Sequence, residues 1–507
     1  MQKIILSKPF EQDWIRMFTH LANLFFEETK ISFDAEEDGI YVDVHVEQDS
    51  NNRFSGSAQL RQNDKAYWAS FEEQVEMNVT EKERARQLKR VYSHVFLDVL
   101  EQLTGTTQSW GILTGIRPMK LYHKYRQLGH NCEEVKKILM ENHRIAEEKC
   151  TLLEQIEKVQ IQAIPDLHAI KDEVSIYIGI PFCPTKCAYC TFPAYAIHRK
   201  NGRVESFLDG LHEEIREIGK WLTQRDKKIT TIYFGGGTPT SIEADEMDAL
   251  YQTMYNSFPY MDEVREITVE AGRPDTITPA KIDVLKKWGI DRISVNPQSY
   301  TDETLKAIGR HHSVQETIDK FWLSRNMGMN NINMDLIIGL PNEGVEEFQH
   351  SLTETEKMQP ESLTVHTLSF KRASEMTRNK EKYKVADRET VERMMQLGEQ
   401  WTKENGYVPY YLYRQKNILG NLENVGYAKP GEESLYNIII MEEVQTIIGI
   451  GCGASSKFMD PVTEKITQFQ NPKDPAAYIL TFEDYIDKKI EHLERIFPEK
   501  VTVELDR

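Results

Sequence analysis

The chain has 507 residues, 40% of them hydrophobic, which is longer than a single hydrophobic core usually supports. Its formal net charge of −18 argues against binding along a nucleic-acid backbone, which needs clustered lysine and arginine. The first residues lack the charged-then-apolar pattern of a signal peptide, and no run of about 18 apolar residues occurs. We therefore expect a multidomain cytoplasmic protein that is not inserted in a membrane.

The first region, residues 1–167, mixes a strand pattern with helical patterns. Tyr41–Val46 alternates apolar and polar residues, whereas Glu81–Leu103 and Glu134–Val159 have helical spacing. These patterns predict an N-terminal α+β domain with a helical linker.

The second region, residues 168–375, repeats a short apolar run followed by an amphipathic stretch six times. One of the helices has Thr278 as its N-cap, Pro279 at its first position and Gly289 beyond its end. Six β-α units predict a parallel sheet covered by helices, and periodicity fits an open sheet and a partial barrel equally well. The apolar runs are Ser175–Ile180, Thr230–Phe234, Glu266–Glu270, Arg292–Asn296, Ile332–Ile338 and Leu363–Leu368.

The third region, residues 376–507, contains a helical pattern near Arg388–Asn405 and an aromatic run over Tyr407–Tyr413. An apolar, glycine-rich stretch with the sequence IIGIGCGASS follows. This region is predicted to be a smaller C-terminal α/β accessory domain. Cys452, within the stretch, is predicted to be a small buried residue.

Three of the six cysteines, Cys183, Cys187 and Cys190, form a C-x3-C-x2-C pattern directly after the first predicted strand. A tight cluster of thiols in a cytoplasmic protein favours metal or redox chemistry over disulfides. A structural zinc ion needs four ligands, and His198 is the only local candidate for the fourth. Three thiolates suit a [4Fe-4S] cluster better, because an iron without a protein ligand can bind another molecule.

Polar and glycine residues lie where other strands of the series end. The segment YFGGGTPT, Tyr233–Thr240, follows the second strand. Consecutive glycines let a backbone approach a ligand, although a tight turn is the commoner explanation for them. Glu270, Gln298, Arg310 and Asp335 lie in or beyond later strands. Asp335 alone could be a hydrogen-bonded core residue, but several polar groups at strand ends favour a pocket at the mouth of a barrel.

The cysteine pattern, with Tyr189 before its last cysteine, resembles that of the radical S-adenosylmethionine (SAM) superfamily. The resemblance implies a [4Fe-4S] cluster whose open iron chelates SAM. It also implies that one electron from the reduced cluster cleaves SAM to methionine and a 5′-deoxyadenosyl radical.

The segments YIGIPFC, CAYC, YFGGGTPT, VEAGRPD, NPQSY and MDLIIGLP resemble the oxygen-independent coproporphyrinogen III oxidase family. The resemblance covers Ser175–Phe370 well and extends loosely to Ser456, while WGILTGIRPMKLYHKY in the leader resembles the HemZ-like branch. It implies an α/β fold in which a partial (β/α)6 TIM-type barrel forms the core between the two smaller domains.

The resemblance also assigns cofactor contacts. Tyr177, Gly236 and Glu270 match positions that contact the cluster-bound SAM, and Ser455 lies where the glycine-rich stretch would approach it. Positions that line a second SAM site in the best-known members are matched by Tyr189, Gly237, Thr238, Gln298, Arg310 and Asp335.

The implied reaction is oxidative decarboxylation of two propionates of coproporphyrinogen III to vinyl groups, in anaerobic haem biosynthesis. An electron donor such as flavodoxin or ferredoxin would supply the cluster, and no protein side chain is needed as a nucleophile. A substrate with four carboxylates requires cations at the barrel mouth, although each candidate could equally be a solvated surface charge. The candidates are Arg273, Lys371, Arg372, Arg414 and Lys416.

Two departures from the family pattern bear on the substrate. The best-known members have a histidine at the position of Gly179 and a further cysteine at the position of Phe192. A related branch of haem chaperones has a His-Asn-x-x-Tyr-Trp motif where this chain has ENVGYA, Glu423–Ala428, without the histidine. A haem chaperone and a radical SAM enzyme with another substrate are therefore the alternatives. His311 and His312 are predicted to be solvated loop residues.

Overall fold

The structure is a computed structural model of the chain. It describes residues 2–26, 28–34, 38–75, 79–115, 117–192, 194–197, 203–371, 374–415 and 418–498. These residues form two compact units, residues 1–155 and 156–507.

The first unit contains a five-stranded sheet in the order β2-β1-β3-β4-β5, in which β1 pairs in parallel with β2 and β3. Phe18, Phe96 and Leu100 from its helices pack with sheet residues such as Val42 in one core. The elements up to the end of this unit are β1 (Gln2–Leu6), α1 (Gln12–Ala22), β2 (Thr29–Ser32), β3 (Ile40–Gln48), β4 (Arg53–Gln62), β5 (Lys65–Gln74), α2 (Glu81–Thr104), α3 (Pro118–Gln127), α4 (Cys132–His143) and α5 (Glu147–Ala163), which continues into the second unit.

The second unit is built on an eleven-stranded sheet in the order β14-β15-β13-β12-β11-β10-β9-β6-β16-β17-β18. Its elements are β6 (Val174–Ile180), β7 (Phe182–Cys183), β8 (Tyr195–Ala196), α6 (Arg203–Gln224), β9 (Ile229–Gly236), α7 (Ala244–Ser257), β10 (Glu266–Glu270), α8 (Pro279–Lys287), β11 (Arg292–Ser294), α9 (Asp302–Ala307), α10 (Val314–Asn326), β12 (Ile332–Ile338), α11 (Val345–Met358), β13 (Ser362–Thr367), α12 (Glu375–Arg378), α13 (Arg388–Glu404), β14 (Val408–Tyr413), β15 (Asn424–Ala428), α14 (Leu435–Glu442), β16 (Thr446–Gly451), β17 (Ser455–Met459), β18 (Ile466–Gln470) and α15 (Pro475–Ile496).

The six predicted strands are present as the consecutive parallel strands β6, β9, β10, β11, β12 and β13. Their apolar runs are buried, which is typical of a parallel sheet covered on both faces. Helix α8 begins as predicted, because the Thr278 side chain accepts a hydrogen bond from the Lys281 backbone N–H and Pro279 is its first residue. The edge strands β14 and β18 are at opposite ends of the strand order, so the sheet does not close on itself.

A seventh parallel strand, β16, was not expected. It comes from the glycine-rich stretch near the end of the chain and pairs with β6 along Thr446–Gly451. Strands from both sides of position 375 thus share one sheet. The predicted division into three domains, at 167/168 and 375/376, stays a prediction. Within the described ranges, no helix is long and apolar enough to span a bilayer.

Candidate functional site

The cysteine loop follows β6, at the edge where the carboxyl ends of the parallel strands meet. Catalytic groups of β-α barrels are found at this edge. Cys183 ends the short strand β7, which pairs with β8, and the Cys190 backbone N–H donates to the Cys187 carbonyl at 3.1 Å. The spacing therefore folds as a compact turn over the end of the sheet.

The glycine loop after β9 holds the chain just before the first cysteine. The Gly237 N–H donates to the Ile180 carbonyl at 2.8 Å, and the Thr238 N–H donates to the Phe182 carbonyl at 2.7 Å. A Cβ on Gly237 would lie 2.5 Å from that Phe182 oxygen, while Gly236 has a φ of +107°. These glycines allow two backbones to touch, and the two N–H groups are used within the chain.

The three thiols lie within electrostatic range of one another. Burial raises the pKa of Cys183 to about 11. A hydrogen-bonding contact of its sulfur with the Thr238 hydroxyl, at 3.4 Å, opposes this rise. Among the described residues, no three Cys, His, Asp or Glu side chains converge as ligands of a single metal ion. Three thiols grouped on one loop fit a [4Fe-4S] cluster, in which each cysteine binds a different iron. His198 lies outside the described residues.

A tyrosine stack lines the lumen beside the predicted SAM contacts. The rings of Tyr233 and Tyr436 stack at 4.4 Å, and Tyr177 lies parallel to Tyr233 at 6.1 Å. The Tyr233 hydroxyl donates to a Glu270 carboxylate oxygen at 2.6 Å. Burial raises the pKa of Glu270 to about 7, the Tyr233 hydrogen bond lowers it, and the charge of Asp335 raises it. Two of the three predicted first-SAM contacts, Tyr177 and Glu270, therefore share one wall.

Several polar atoms in this part of the sheet are buried without a hydrogen-bond partner among the described residues: Thr268 Oγ1, Ser294 Oγ, Asn296 Oδ1, Gln298 Oε1 and Arg310 Nε. Gln298 lies beside Asp335, because its N–H donates to the Asp335 carbonyl at 2.9 Å. Thr268 is two residues before Glu270 on β10, and Ser294 pairs with Glu270, so these side chains point to the same face. Unsatisfied buried polar atoms are costly, and a polar ligand in the lumen would satisfy them. The residues present therefore fit a SAM molecule at Glu270, and sequence reasoning missed Thr268, Ser294 and Asn296.

Asp335, on β12, belongs to a second network, and its strand is separated from that of Glu270 by β11. Its carboxylate accepts from the Asn333 amide at 2.8 Å and lies 3.6 Å from Nε2 of His366, whose Nδ1 lies 3.3 Å from the Tyr413 hydroxyl. Burial raises the pKa of Asp335, but hydrogen bonds from His366, Asn333 and Thr364 outweigh it and hold that pKa below its ordinary value. His366 was not singled out in the sequence, because its position depends on strands that only the fold brings together.

Arg310 lies behind the cysteine loop. It is 5% exposed, and its guanidinium donates to the Asn296 carbonyl at 2.6 Å and the Gly272 carbonyl at 3.2 Å. The same group lies close enough to Cys187 and Tyr189 to interact with them electrostatically. The structure therefore joins two residues of the predicted second SAM site, Arg310 and Tyr189, to a predicted cluster ligand.

Two predicted substrate cations have partners within the chain. Arg273 is 2% exposed and donates to the Thr185 hydroxyl at 2.9 Å and to both carboxylate oxygens of Asp275. Arg414 is 5% exposed and donates to the Asn421 side chain at 2.6 Å, and burial lowers its pKa to about 10. These placements differ from the mouth position expected for both arginines, because each guanidinium needs buried partners. Substrate contact by either stays a prediction.

Lys371 is half-buried, with its ammonium 5.8 Å from the ring centroid of the exposed Phe192. Burial lowers the pKa of Lys371, and the Cys190 thiol opposes that shift. Lys371 thus lies beside the cysteine loop, where a substrate carboxylate could reach it. Arg372 and Lys416 lie outside the described residues.

The prediction for His312 is wrong. Its side chain is 4% exposed, and burial followed by the charges of Arg310 and Arg273 lowers its pKa to about 3. His311 is exposed as predicted. The sequence does not distinguish two adjacent histidines in a charged segment. The turn after α9 places the side chain of His312 in the interior.

The turn between β16 and β17 fills the space beside Gly179. A Cβ on Gly179 would lie 2.9 Å from the Cys452 carbonyl oxygen, and a Cβ on Gly451, which has a φ of +89°, would overlap the Gly179 carbonyl. Cys452 is 2% exposed, as predicted. Ser455 follows the turn as the first residue of β17. Backbone therefore occupies the position into which a side chain at 179 would project.

A fully buried ion pair supports this turn. Lys489 of α15 pairs with Glu214 of α6 and donates to the Gly449 carbonyl, and both charged side chains are 0% exposed. Glu214 also accepts from the Gly451 N–H at 2.7 Å and from the Tyr478 hydroxyl at 2.6 Å. The pair thus fixes the end of β16 next to β6.

Comparison with known proteins adds three findings. The Radical SAM superfamily model matches residues 177–354. The chain is 61% identical to the oxygen-independent coproporphyrinogen-III oxidase-like protein HemZ of Bacillus subtilis, over 96% of this chain and 97% of that protein. It is 28% identical to the haem chaperone HemW of Haemophilus influenzae, over 64% and 80% of the two chains.

A solved structure shows the same fold. Coproporphyrinogen III oxidase (HemN) of Escherichia coli, a radical SAM enzyme, superposes with a TM-score of 0.51 at 20% identity, covering 64% of this chain and 72% of that one. The predicted partial barrel is thereby confirmed. Near-complete coverage at 61% identity places this chain in the HemZ family of oxygen-independent coproporphyrinogen-III oxidase-like proteins, within the radical SAM superfamily.

Proposed function

We propose that this protein is a cytoplasmic radical SAM oxidoreductase that converts two propionates of coproporphyrinogen III to vinyl groups, giving protoporphyrinogen IX in anaerobic haem biosynthesis. Its cofactors are a [4Fe-4S] cluster and SAM. The observation that carries the proposal is the group of Cys183, Cys187 and Cys190 on the loop after β6, in a chain that is 61% identical to a HemZ protein.

In this reaction, the side chains of this protein would bind and orient the cofactors and the substrate. When bound, the cluster and SAM supply one-electron chemistry that removes hydrogen from an unactivated carbon. Each conversion takes one hydrogen atom, one electron and carbon dioxide from a propionate. Cys183, Cys187 and Cys190 would hold the cluster. SAM would be contacted by Tyr177, Gly236 and Glu270, and Lys371 would bind a carboxylate. An electron donor such as flavodoxin or ferredoxin would reduce the cluster.

An anaerobic assay tests the substrate. Purified, reconstituted protein with coproporphyrinogen III, SAM and a reductant should give the divinyl product, detected by mass, together with 5′-deoxyadenosine. Cys187→Ala should abolish both products because a predicted cluster ligand is lost. Cys132→Ala, which changes a half-buried thiol in the first unit, is the matched control and should retain them. Formation of 5′-deoxyadenosine without a vinyl product would contradict the proposed substrate and favour a different one.

A haem chaperone is the second candidate, because HemW proteins align with this chain over more than half its length. Glu423, at the position of the chaperone histidine, is 0% exposed, and Asn424–Ala428 is the buried strand β15. The segment therefore offers haem no accessible ligand. Tight haem binding without turnover, measured by absorbance titration, would favour the chaperone over the enzyme.

A further inference from the structure

We propose that Arg273 is a positioning residue of the predicted cluster site. Its guanidinium fixes the segment between Cys183 and Cys187, and its buried charge, balanced by Asp275, tunes the reduction potential of the cluster. The inference rests on the radical SAM assignment and does not depend on the tetrapyrrole substrate. It is an alternative to the substrate contact predicted for the same arginine.

Arg273 contacts the middle of the cysteine loop. It follows the end of β10, and its Nη1 donates to the carbonyl oxygen of Thr185 at 3.1 Å and to the hydroxyl of the same residue at 2.9 Å. Thr185 is the middle residue of the segment between Cys183 and Cys187. One nitrogen thus holds two atoms of a residue that lies between two predicted cluster ligands.

The same part of the loop is held against the turn after α9. The Thr185 hydroxyl donates to the Gly309 carbonyl at 3.0 Å, and the Ala188 N–H donates to the Ile308 carbonyl at 2.9 Å. The Thr185 hydroxyl therefore donates to this turn while it accepts from Arg273, which a single hydroxyl group can do. The cysteine loop is thus fixed from two segments, and the contact from β10 is made by a charged side chain.

The donors of Arg273 are used within the chain. Its Nε donates to one carboxylate oxygen of Asp275 at 3.2 Å, and its Nη2 donates to the other at 3.0 Å. With the two bonds to Thr185, these contacts use most of the N–H groups of the guanidinium, and Arg273 is 2% exposed. A substrate carboxylate would have to displace Asp275. Arg310 differs, because its Nε is buried without a partner among the described residues.

The charge of Arg273 acts on the predicted cluster site. The guanidinium lies within electrostatic range of Cys183, and water screens charges little in a buried site. A [4Fe-4S] cluster gains one negative charge on reduction, so a nearby cation favours its reduced state and a nearby anion favours its oxidised state. Arg273 and Asp275 should therefore shift the reduction potential in opposite directions.

The midpoint potential of the cluster tests the role of the charge. It is measured on the reconstituted holoprotein by redox titration with electron paramagnetic resonance, without SAM or tetrapyrrole. Arg273→Met should lower the potential, Asp275→Asn should raise it, and the double variant should fall between them. Arg265→Met, which removes an ion pair with Asp166 at the other end of β10, is the matched control and should not shift it.

Shifts in the same direction for Arg273→Met and Asp275→Asn would overturn the proposal, and so would an unchanged potential in Arg273→Met. If Arg273→Met takes up no iron, the other two variants decide. Asp275→Asn must then raise the potential, and the double variant must lie below Asp275→Asn. A wild-type protein that takes up no iron and sulfide would overturn the radical SAM assignment instead.

The rate of iron loss to a chelator tests the role of position. Arg273→Lys keeps the charge, but a single ammonium lacks the planar fork that holds Thr185 and both Asp275 oxygens. We expect this variant to lose iron about threefold faster than the wild type, with a smaller shift of potential than Arg273→Met. Arg265→Lys is the control and should lose iron at the wild-type rate. A wild-type rate in Arg273→Lys would show that Arg273 does not position the loop.

Discussion

The β6 side and the β12 to β14 side of the lumen are built by different means. Around β6, the cysteine loop, the glycine loop and the turn before β17 meet through backbone atoms, as at Gly179 and Cys452. Across the lumen, side chains such as Asp335 and His366 pair with one another. Backbone contacts tolerate no added side chain, whereas paired side chains can be exchanged for others of similar shape and polarity. The first side is thus suited to an invariant cofactor, and the second to differences in specificity.

The largest expected effect concerns the buried ion pair on the β6 side. Lys489→Met should lower the free energy of unfolding by about 3–5 kcal/mol, because the buried carboxyl group of Glu214 would lose its ion-pair partner. Chemical denaturation measures the loss. Lys488→Met, at the exposed neighbouring position on α15, is the matched control and should cost less than about 1 kcal/mol. Equal losses would mean that the pair does not stabilise this side.

The double variant Glu214→Gln/Lys489→Met sharpens the same point. It removes both charges, so it should recover at least half of the loss caused by Lys489→Met alone. If the double variant does not recover stability, the loss in Lys489→Met is caused by the missing packing of the lysine hydrocarbon chain.

A pair of glycines tests the backbone contacts. Gly451 and Gly431 have almost the same φ, +89° and +90°, but a Cβ would overlap the Gly179 carbonyl at the first and meets nothing within 4 Å at the second. Gly431→Ala should cost about 1 kcal/mol for backbone strain alone. Gly451→Ala should cost about 1–3 kcal/mol more because of the overlap. Similar midpoints of unfolding would contradict the contrast between the two sides.

The two lumen carboxyls should give opposite pH responses. The folded pKa of Glu270 is about 7, above its ordinary 4.5, so its ionisation penalty is absent below about pH 4.5 and complete above pH 7. Stability of the protein without its cofactors should fall across this window by up to about 1.4 kcal/mol per pH unit, and Glu270→Gln should flatten the profile. Thermal unfolding from pH 5 to 7.5 measures it.

Asp335 is the control for that experiment. Its pKa is held below 3.8, so its contribution is complete above that pH and is lost only in stronger acid. Asp335→Asn also removes a charge that helps to raise the pKa of Glu270, so it should make the fall in stability between pH 5 and 7.5 smaller without abolishing it. A profile as flat as that of Glu270→Gln would mean that burial is not the main cause of the raised pKa of Glu270.

The smallest expected loss of stability concerns the N-cap of α8. Thr278→Ala should cost about 1 kcal/mol, because the first turn of α8 loses the acceptor for its Lys281 N–H. Thr353→Ala, on the exposed surface of α11, is the control and should cost less than half as much. Thermal unfolding at one pH compares the two variants.

Local signals explain how much of the fold could be predicted from the sequence. The apolar runs of the parallel strands and the caps of α8 depend on neighbouring residues, and the cysteine spacing is local as well. The run Glu134–Val159 was read as continuous, but it is broken at Arg144, which has a φ of +56° and pairs with Asp98 and Glu101. That break depends on a distant partner, so spacing alone did not reveal it.

The side-chain network opposite the cluster was not predictable for the same reason. β14 is separated from β13 by β15, so Tyr413 reaches His366 across an intervening strand. Gly426 of β15 leaves room for the ring of Tyr411, which lies parallel to that of Tyr413 with centroids 6.4 Å apart. The strand order in this part of the sheet follows from tertiary packing. The periodic pattern of apolar residues in the sequence does not indicate it.

The pairing of β6 with β16 has a consequence for biogenesis. The strand that carries the cysteine loop gains one of its two neighbours only from Thr446–Gly451, and α15 adds Lys489 later still. A ribosome that has finished the six β-α units has therefore not yet produced the backbone that packs against Gly179. Iron and sulfide delivered during synthesis would meet an unfinished loop, so maturation of the cluster belongs after the C-terminal segment has docked.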